Sequence, residues 1–332
     1  MSCYESLKAD FELARSHHVP LLGNTHSIQL TRPDMGASNF ETHIAWYTRR
    51  SLSNPADVLN AIRGLMRSMA TKKNAWHQFW GIPITPTDFL KDFERQRVMI
   101  AQQIGITFTY GLCWHVSPDD SPTPIIKRRP GFPSWSWVGW IAAVQGPPVD
   151  SLEHDFDLNK SYEYFVQKTD GSREILSEDL AVQLFQNLHD VAANYTYILY
   201  FTRDVLALRL TYFKDGIDCA DNHGLWTHDK TTQSNYAAKV VVGDQNEHYW
   251  PLLLTPHVQE NDEIHLYLCD GAVECVVLSE AWGLVIYTRN GVSERIGLIR
   301  FESQDVRAWR PKGGSLHLRD YFPYSSREIL LG

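Results

Sequence analysis

The chain has 332 residues, with 31 Lys and Arg against 39 Asp and Glu, for a formal net charge of −8. This balance excludes a large phosphate-binding surface, and with it a nucleic-acid partner, because such surfaces rest on clustered Lys and Arg. Hydrophobic residues make up 43% and charged residues 21%, which excludes a disordered chain, and the length predicts two packed subdomains.

Cysteine usage and hydropathy predict a reduced, cytoplasmic protein. The cysteines form an odd set without Cys-x-x-Cys spacing, which favours neither a disulfide framework nor a structural zinc site. They are Cys3, Cys113, Cys219, Cys269 and Cys275. The N-terminus has no apolar signal core and no stretch approaches the roughly 18 apolar residues of a membrane-spanning helix, so we expect no membrane span.

Helical periodicity dominates the first 110 residues. A helix is predicted to begin at Asn54-Pro55, since Pro is favoured at the first helical position and apolar residues then recur at helical spacing as far as Met69. A second helix is predicted over residues 87–104, with Gly105 as its C-terminal cap.

From residue 106 the period changes from helical to alternating. Residues 106–110 are predicted to form a strand, and residues 134–140 a second strand in which Trp135 and Trp137 share one face. Residues 146–173 lack clear periodicity and are interpreted as a variable surface excursion. One further helix is predicted over residues 178–189, capped by Ser177.

The rest of the chain predicts short strands joined by tight turns. The predicted strands are 195–201, 205–212, 238–242, 263–268, 273–278, 284–288 and 295–301. Asp270-Gly271 and Asn290-Gly291 lie between apolar runs, a strong signal for hairpins. We therefore expect an α+β fold, with a helical part (1–110) packed on a predominantly antiparallel sheet, sandwich or partly open barrel (111–332, with a variable excursion at 146–190).

Several segments, in this order, resemble fungal heterokaryon-incompatibility (HET) proteins. They are 47–65, Phe79-Trp80-Gly81-Ile82-Pro83, Gly111-Leu112-Cys113-Trp114, the run 128–140, 294–298 and 329–332. The most specific is 128–140, whose Pro-Ser-Trp-Ser-Trp core is flanked by Arg-Arg-Pro-Gly and Gly-Trp. The N-terminal signalling domain of that family, which the resemblance implicates in nonself recognition and cell death, has no counterpart in the first 45 residues. The chain thus resembles the companion region, which carries no chemistry to transfer residue by residue.

Known catalytic signatures are absent from the sequence. There is no Gly-x-Ser-x-Gly elbow, Gly-rich phosphate loop with Lys, dinucleotide fingerprint or His-Glu-x-x-His motif, so no cofactor is expected. Potential metal ligands cluster between residues 215 and 229, where the alternative interpretation is a polar loop. They are Asp215, Asp218, Cys219, Asp221, His223, His228 and Asp229. Their spacing matches no established pattern, so no metal site is predicted, and binding by Asp218, His223 and His228 stays open.

Tryptophan content is the feature most in need of explanation. The chain has eleven, of which six are clustered: Trp76, Trp80, Trp114, Trp135, Trp137 and Trp140. Such a group can form a core that holds the helical part against the sheet, or line a pocket for an apolar, aromatic or cationic small molecule. Lys127, Arg128 and Arg129 form the one dense basic run, either a solvated loop or an anion site, and Arg129 is a candidate ligand-binding residue.

If the tryptophans line a pocket, neighbouring histidines are the candidates for acid–base chemistry. His77 follows Trp76, His115 follows Trp114, and Asp119 lies in the adjoining Pro-rich loop. The alternative for each histidine is a hydrogen-bonded structural role.

The sequence leaves two candidate functions for the chain. One is a HET-like scaffold repurposed to bind a small molecule, as in a cofactor-independent cyclase or isomerase of fungal secondary metabolism. The other is a non-catalytic module with a protein partner.

Overall fold

The computed structural model describes the chain in segments. These are residues 37–50, 52, 54, 57–60, 62, 77–84, 100–116, 126–146, 162–177, 179–180, 183, 194–218, 233–242, 246–254, 263–270, 272–279, 281–301 and 322–332. Three helices have defined bounds: α1 (Ala37–Thr48), α2 (Ile100–Leu112) and α3 (Glu263–Cys269). None of the helices in these segments is long and apolar enough to cross a bilayer.

Fifteen strands are present in the described segments. The short ones are β1 (His77–Phe79), β2 (Ile82–Ile84), β3 (His115–Val116), β4 (Lys127–Arg128), β5 (Trp140–Ile141), β6 (Val144–Gln145), β7 (Phe165–Lys168) and β8 (Arg173–Ile175). The remainder are β9 (Tyr195–Asp218), β10 (Gln233–Val242), β11 (Asn246–Leu254), β12 (Ala272–Val277), β13 (Trp282–Arg289), β14 (Val292–Arg300) and β15 (Tyr324–Leu331).

Six of the long strands pair in a closed ring. β9 pairs with β12, β12 with β13, β13 with β14, β14 with β11, β11 with β10, and β10 again with β9. All these pairings are antiparallel, so the ring is a small barrel without open edges. β15 adds to β9 antiparallel and touches β14 in parallel, while the β7–β8 hairpin extends the sheet from the other end of β9.

The sheet is buried on two faces, each with its own apolar core. One core fills the ring with residues such as Leu206, Leu208 and Val285, and the other contains the tryptophans and α2 together with Leu199 and Phe201. β9 contributes odd-numbered residues to the tryptophan core and even-numbered ones to the ring. Residues 282–286 of β13 are buried without interruption, which explains their continuous apolar sequence.

The predicted hairpin turn at Asn290-Gly291 is confirmed. Asn290 has φ 54° and Gly291 φ 78°, and the turn joins β13 to β14. Two consecutive residues with positive φ match the twist of the flanking strands, and Asn and Gly adopt that conformation at least cost.

The expected α+β fold with a helical N-terminal part is wrong. Strands predominate in the described segments, and the large sheet is mixed because β15 runs parallel to β14. The described part of the first 110 residues contains the β1–β2 hairpin as well as α1, most of α2 and helical residues at 57–60 and 62. The predicted subdomain boundary at residue 110 falls inside α2, and the division itself stays a prediction.

Residues 106–110, predicted as a strand, belong to α2. Gly105 lies inside this helix rather than at its end, and a Cβ added there would meet the Tyr162 carbonyl oxygen at 1.8 Å. Glycine therefore permits a close approach of two backbones. The β-branched Thr107 and Thr109 are accommodated because their hydroxyls donate to the carbonyls of Ile104 (3.0 Å) and Gly105 (2.7 Å).

Residues 263–268 are also helical, as α3, although their alternation predicted a strand. Leu268 is fully buried in the ring core with Ile264 packed beside it, while Leu266 is 49% exposed. Residues 264 and 268, four apart, lie on one face of a helix and also on one face of a strand. In a run this short, the apolar pattern therefore fits both structures. Asp270 consequently follows a helix rather than a strand, and Gly271 lies outside the described residues.

Other predictions fall partly on described residues. Residues 57–60 and 62 are helical with Val58 and Ile62 buried, and the Ser177 hydroxyl accepts from the Leu180 amide at 3.2 Å, as expected of a helix cap. Residues 134–140 are not one strand, because residues 137–139 form a 3-10 helix. Within the predicted excursion, residues 162–177 carry β7 and β8, with β7 paired to β9.

Candidate functional site

The tryptophan segment, residues 128–140, is the centre of the larger core. Its three tryptophans and the nearby Trp114 are all buried, and each of these four indole N–H groups donates to a main-chain carbonyl. Trp114 donates to Trp135 (2.8 Å), Trp135 to Tyr197 (2.9 Å), Trp137 to Gly81 (2.8 Å) and Trp140 to Ser134 (2.8 Å). Burial together with a satisfied donor is the arrangement of structural tryptophans.

Trp135 is the middle of this core. It is fully buried, stacks on Phe79 with the ring planes 14° apart, and lies 6.0 Å from the ring of Phe108 in α2. Its indole bonds to β9 through Tyr197. One side chain thereby joins the β1–β2 hairpin, α2 and the large sheet.

The two serines of the segment bind backbone that is distant in sequence. The Ser134 hydroxyl donates to the Gly332 carbonyl and accepts from the Arg295 amide at 3.1 Å. The Ser136 hydroxyl donates to the Trp80 carbonyl and accepts from the Val138 amide, where it caps the 3-10 helix. Both serines therefore hold strands and turns in place.

The two arginines of the basic run serve the same segment. Arg128 donates to the carbonyls of Gly139 (2.7 Å) and Phe132 (2.5 Å) and lies over the Trp140 ring. Arg129 is buried and donates to the Val138 carbonyl at 2.5 Å. Burial lowers the pKa of both guanidinium groups. These contacts favour a structural role over either a solvated loop or an anion site.

Arg295 anchors the segment from β14. Its buried side chain donates to the carbonyls of Leu112 (2.7 Å) and Trp114, with the guanidinium 3.8 Å from the Trp114 ring centre. Burial lowers its pKa to about 9. The adjacent Glu294 is exposed, so the two side chains leave opposite faces of the strand.

His115, a predicted acid or base, is buried in β3. Burial, followed by the charges of Arg295 and Arg300, lowers its pKa to about 3, so the imidazole is neutral at physiological pH. A histidine with this pKa is poorly matched to proton transfer near neutrality. The environment favours a structural histidine.

Of the other predicted site residues, some lie within the described segments and others lie outside them. His77 pairs with Ile84 in the β1–β2 hairpin, while Trp76 and Asp119 lie outside the described residues. Of the potential metal ligands, Asp215 and Asp218 are at the end of β9 and the remainder are likewise outside. Within the described segments, no group of three or more His, Cys, Asp or Glu side chains could hold a metal ion.

Trp80 differs from the other described tryptophans of the cluster. It occupies the turn between β1 and β2 with φ 48°, a conformation that bulky residues rarely adopt, followed by Gly81 at φ 84°. Its ring is buried against Phe132, and its indole N–H has no hydrogen-bond partner. Two hydrogen bonds stabilise this turn: the Ser136 hydroxyl donates to the Trp80 carbonyl, and the Trp137 indole N–H donates to the Gly81 carbonyl.

A second group of chemically active side chains lies on and beside α3. The Tyr236 hydroxyl is 2.5 Å from Nδ1 of His265, and the Tyr212 ring meets the imidazole edge-on at 5.2 Å. The exposed Cys269 Sγ lies 3.9 Å from Nε2 and 4.0 Å from Nδ1 of the same histidine. Sequence reasoning missed this group, because a strand over 263–268 separates residues 265 and 269, whereas a helix brings them to one face.

Comparison with known proteins returned no match to a family model, a curated protein or a solved structure.

Proposed function

We propose that this chain is a non-catalytic protein-interaction module, of the kind implied by its resemblance to the region downstream of the HET signalling domain. The main support for the proposal is the burial and internal hydrogen bonding of the tryptophans that were predicted to line a pocket. Trp114, Trp135, Trp137 and Trp140 are buried, and their indole donors are used on the main chain. A ligand in this region would have to displace core contacts.

The electrostatics of the same region support a non-catalytic role. His115 is neutral and buried, and Arg128 and Arg129 direct donors to carbonyls of their own segment. A small-molecule site normally leaves a few polar groups converging on the ligand. The indole donors of Trp114, Trp135, Trp137 and Trp140 and the donors of Arg128 and Arg129 described above are used on the main chain, whereas the buried Trp80 indole N–H has no partner. Because most of these groups do not converge on a common point, we expect a binding surface on the outside of the protein.

The exposed part of β15 is the surface that best suits a protein partner. Residues 324–328 are all exposed, and Tyr324 is 49% exposed. Arg327 pairs with Glu274, and Glu328 pairs with Arg173 at 2.6 Å, so paired charges of both signs lie on the same exposed strand as the tyrosine. An aromatic residue within a polar rim is typical of transient protein interfaces.

The test compares partner recovery with ligand binding. Complexes isolated from the source cells with the wild-type chain should be lost for the charge-reversed Arg327→Glu/Glu328→Arg variant. They should persist for Arg289→Glu, which removes an exposed ion pair beside α3. In parallel, tryptophan fluorescence is titrated with apolar and aromatic metabolites. Saturable quenching that Trp137→Phe weakens without a change in Tm would overturn the proposal in favour of a small-molecule site.

Small-molecule binding remains the second candidate, at a different place from the one predicted. Tyr212 and His265 are half-buried beside the barrel and carry polar tips, and barrel ends are common ligand sites. Quenching that is lost in His265→Ala but retained in Trp137→Phe would identify this location.

A further inference from the structure

We infer that the outer edge of β15, the side of this strand that faces away from β9, pairs with the same edge of a second copy of the chain. The two strands would run antiparallel, with Ser326 on the two-fold axis of the dimer. The inference rests on the interaction role proposed above and names the partner. Within the described segments, β15 pairs with β9 along residues 324–331, whereas its outer edge meets another strand only at Leu331, beside Ser293 of β14.

The backbone of β15 directs alternate residues to its two edges. The Ala207 amide of β9 donates to the Pro323 carbonyl at 3.0 Å, so the odd-numbered residues of β15 direct their N–H and C=O groups toward β9. Even-numbered residues direct theirs outward, as does Gly332 after the strand, whose amide donates to the Ser293 carbonyl at 2.9 Å. Ser326 therefore presents its main-chain donor and acceptor at the outer edge, where another strand can add.

The outer edge is open to a partner. Residues 324–328 are exposed without interruption, and because successive side chains point to opposite faces, neither face of this stretch is covered. The charged side chains lean across β9, away from the edge. Arg327 pairs with Glu274 of β12, and Glu328 pairs with Arg173 of β8 at 2.6 Å. The charges that commonly protect an edge strand from pairing are thereby held elsewhere.

The exposed stretch, Tyr-Ser-Ser-Arg-Glu, is complementary to itself in one register. With Ser326 on the axis, Ser325 lies opposite Arg327 of the second copy. Tyr324 likewise lies opposite Glu328 of the second copy, so no like charges face each other. Moving the axis to Arg327 or Glu328 opposes identical charges, and moving it to Ser325 shortens the paired stretch of β15. A self-complementary patch of this kind produces a closed two-fold dimer.

The experiment is sedimentation velocity of the full chain, with the protein concentration varied over about two decades. We expect a monomer–dimer equilibrium for the wild type, and a dissociation constant about tenfold higher or more for Ser326→Pro. Proline removes the outward N–H on the axis, and the inward hydrogen bonds to β9, which come from the odd-numbered residues, are kept. Ser326→Ala is the matched control and should dimerise like the wild type, because it retains this N–H. Urea unfolding checks that both variants are folded.

A cross-link tests the register without the proline variant. The Cα atoms of a hydrogen-bonded antiparallel pair lie about 5.5 Å apart, a separation that a disulfide can span. Ser326→Cys should therefore form a disulfide between two copies under mild oxidation, and peptide mass spectrometry should identify residue 326 on both sides of the link. Thr202→Cys, which places an exposed thiol on the neighbouring strand β9, is the control and should not form this link.

Three results would overturn the self-pairing. They are a wild-type chain that stays monomeric at every concentration, a Ser326→Pro variant that dimerises like the wild type, and a dimer in which Ser326→Cys forms no link through residue 326. The interaction role fails by a separate result. A monomeric chain whose complexes from source cells are lost in Arg327→Glu/Glu328→Arg overturns the self-pairing alone, with a different protein as the partner. A dimer through Ser326 together with complexes that persist in that variant supports the pairing and overturns the interaction role.

Discussion

Replacing Trp137 and Trp80 separately by Phe tests whether the tryptophans are held by their indole hydrogen bonds. Both residues are buried and both contact the same turn, but Trp137 donates to the Gly81 carbonyl whereas the Trp80 N–H has no partner. Both substitutions remove a similar volume. The difference between them therefore isolates the hydrogen bond.

The expected magnitudes follow from this contrast. Losing roughly 40 Å³ of side chain costs about 1 kcal/mol through the cavity term, and an unpaired Gly81 carbonyl adds about 1 to 3 kcal/mol. Trp137→Phe should thus lower the free energy of unfolding by about 2 to 4 kcal/mol. In Trp80→Phe the removal of an unpaired buried donor offsets the cavity, so the loss should be at most about 1 kcal/mol.

Urea unfolding measures both variants, with stability read from the midpoint at an unchanged m-value. Equal losses, or a larger loss for Trp80→Phe, would refute the assignment of these hydrogen bonds. Fluorescence spectra of the folded variants check that the remaining tryptophans keep their environment.

Three further predictions concern backbone approach, pH and the confirmed turn. Gly105→Ala should destabilise the fold by about 3 kcal/mol or more, because its Cβ would meet the Tyr162 carbonyl. The control is Gly131→Ala, whose Cβ would meet nothing within 4 Å although the residue has φ 82°. If thermal unfolding shows no larger loss of stability for Gly105→Ala than for Gly131→Ala, the close approach is contradicted. In the folded protein the pKa of His115 is lowered from 6.5 to about 3. Between about pH 3 and about pH 6.5 the unfolded chain therefore binds more protons than the folded chain. The free energy of unfolding is unaffected by this group above that range and decreases as the pH falls through it. His115→Gln should flatten the acid side of the stability profile by up to one proton, and an unchanged slope would show that His115 is not buried as a neutral group. Asn290→Ala should cost about 1 kcal/mol at the positive φ of the turn, measured by urea unfolding, and Asn290→Gly should cost less than Asn290→Ala.

Local chemistry predicted those features that depend on a few neighbouring residues. Asn290-Gly291 formed the expected turn, and the Ser177 hydroxyl caps a helix, because both rely on backbone preferences and short-range hydrogen bonds. Most predicted strands after residue 195 are present for a similar reason, since β-branched and aromatic runs favour the extended state.

Where an apolar pattern fits both a helix and a strand, tertiary packing determines which of the two forms. Residues 106–110 and 263–268 alternate like strands but are helical. In the first case Gly105 lets the helix meet the Tyr162 backbone, and in the second Leu268 enters the ring core. The His265–Cys269 pair was hidden for the same reason, because residues four apart lie about 13 Å from each other along a strand, whereas on a helix they are neighbours.

For the tryptophan segment, the sequence by itself identified the unusual residues and left two roles open for them. Composition and spacing also determined the acidic balance and a β-rich second half. The tertiary structure alone decided that Trp114, Trp135, Trp137 and Trp140 form a core, because the carbonyls that receive their indole hydrogen bonds include Gly81 and Tyr197, remote in sequence. A side chain's role as core or pocket depends on what the rest of the chain brings against it, and that information is not carried by local sequence.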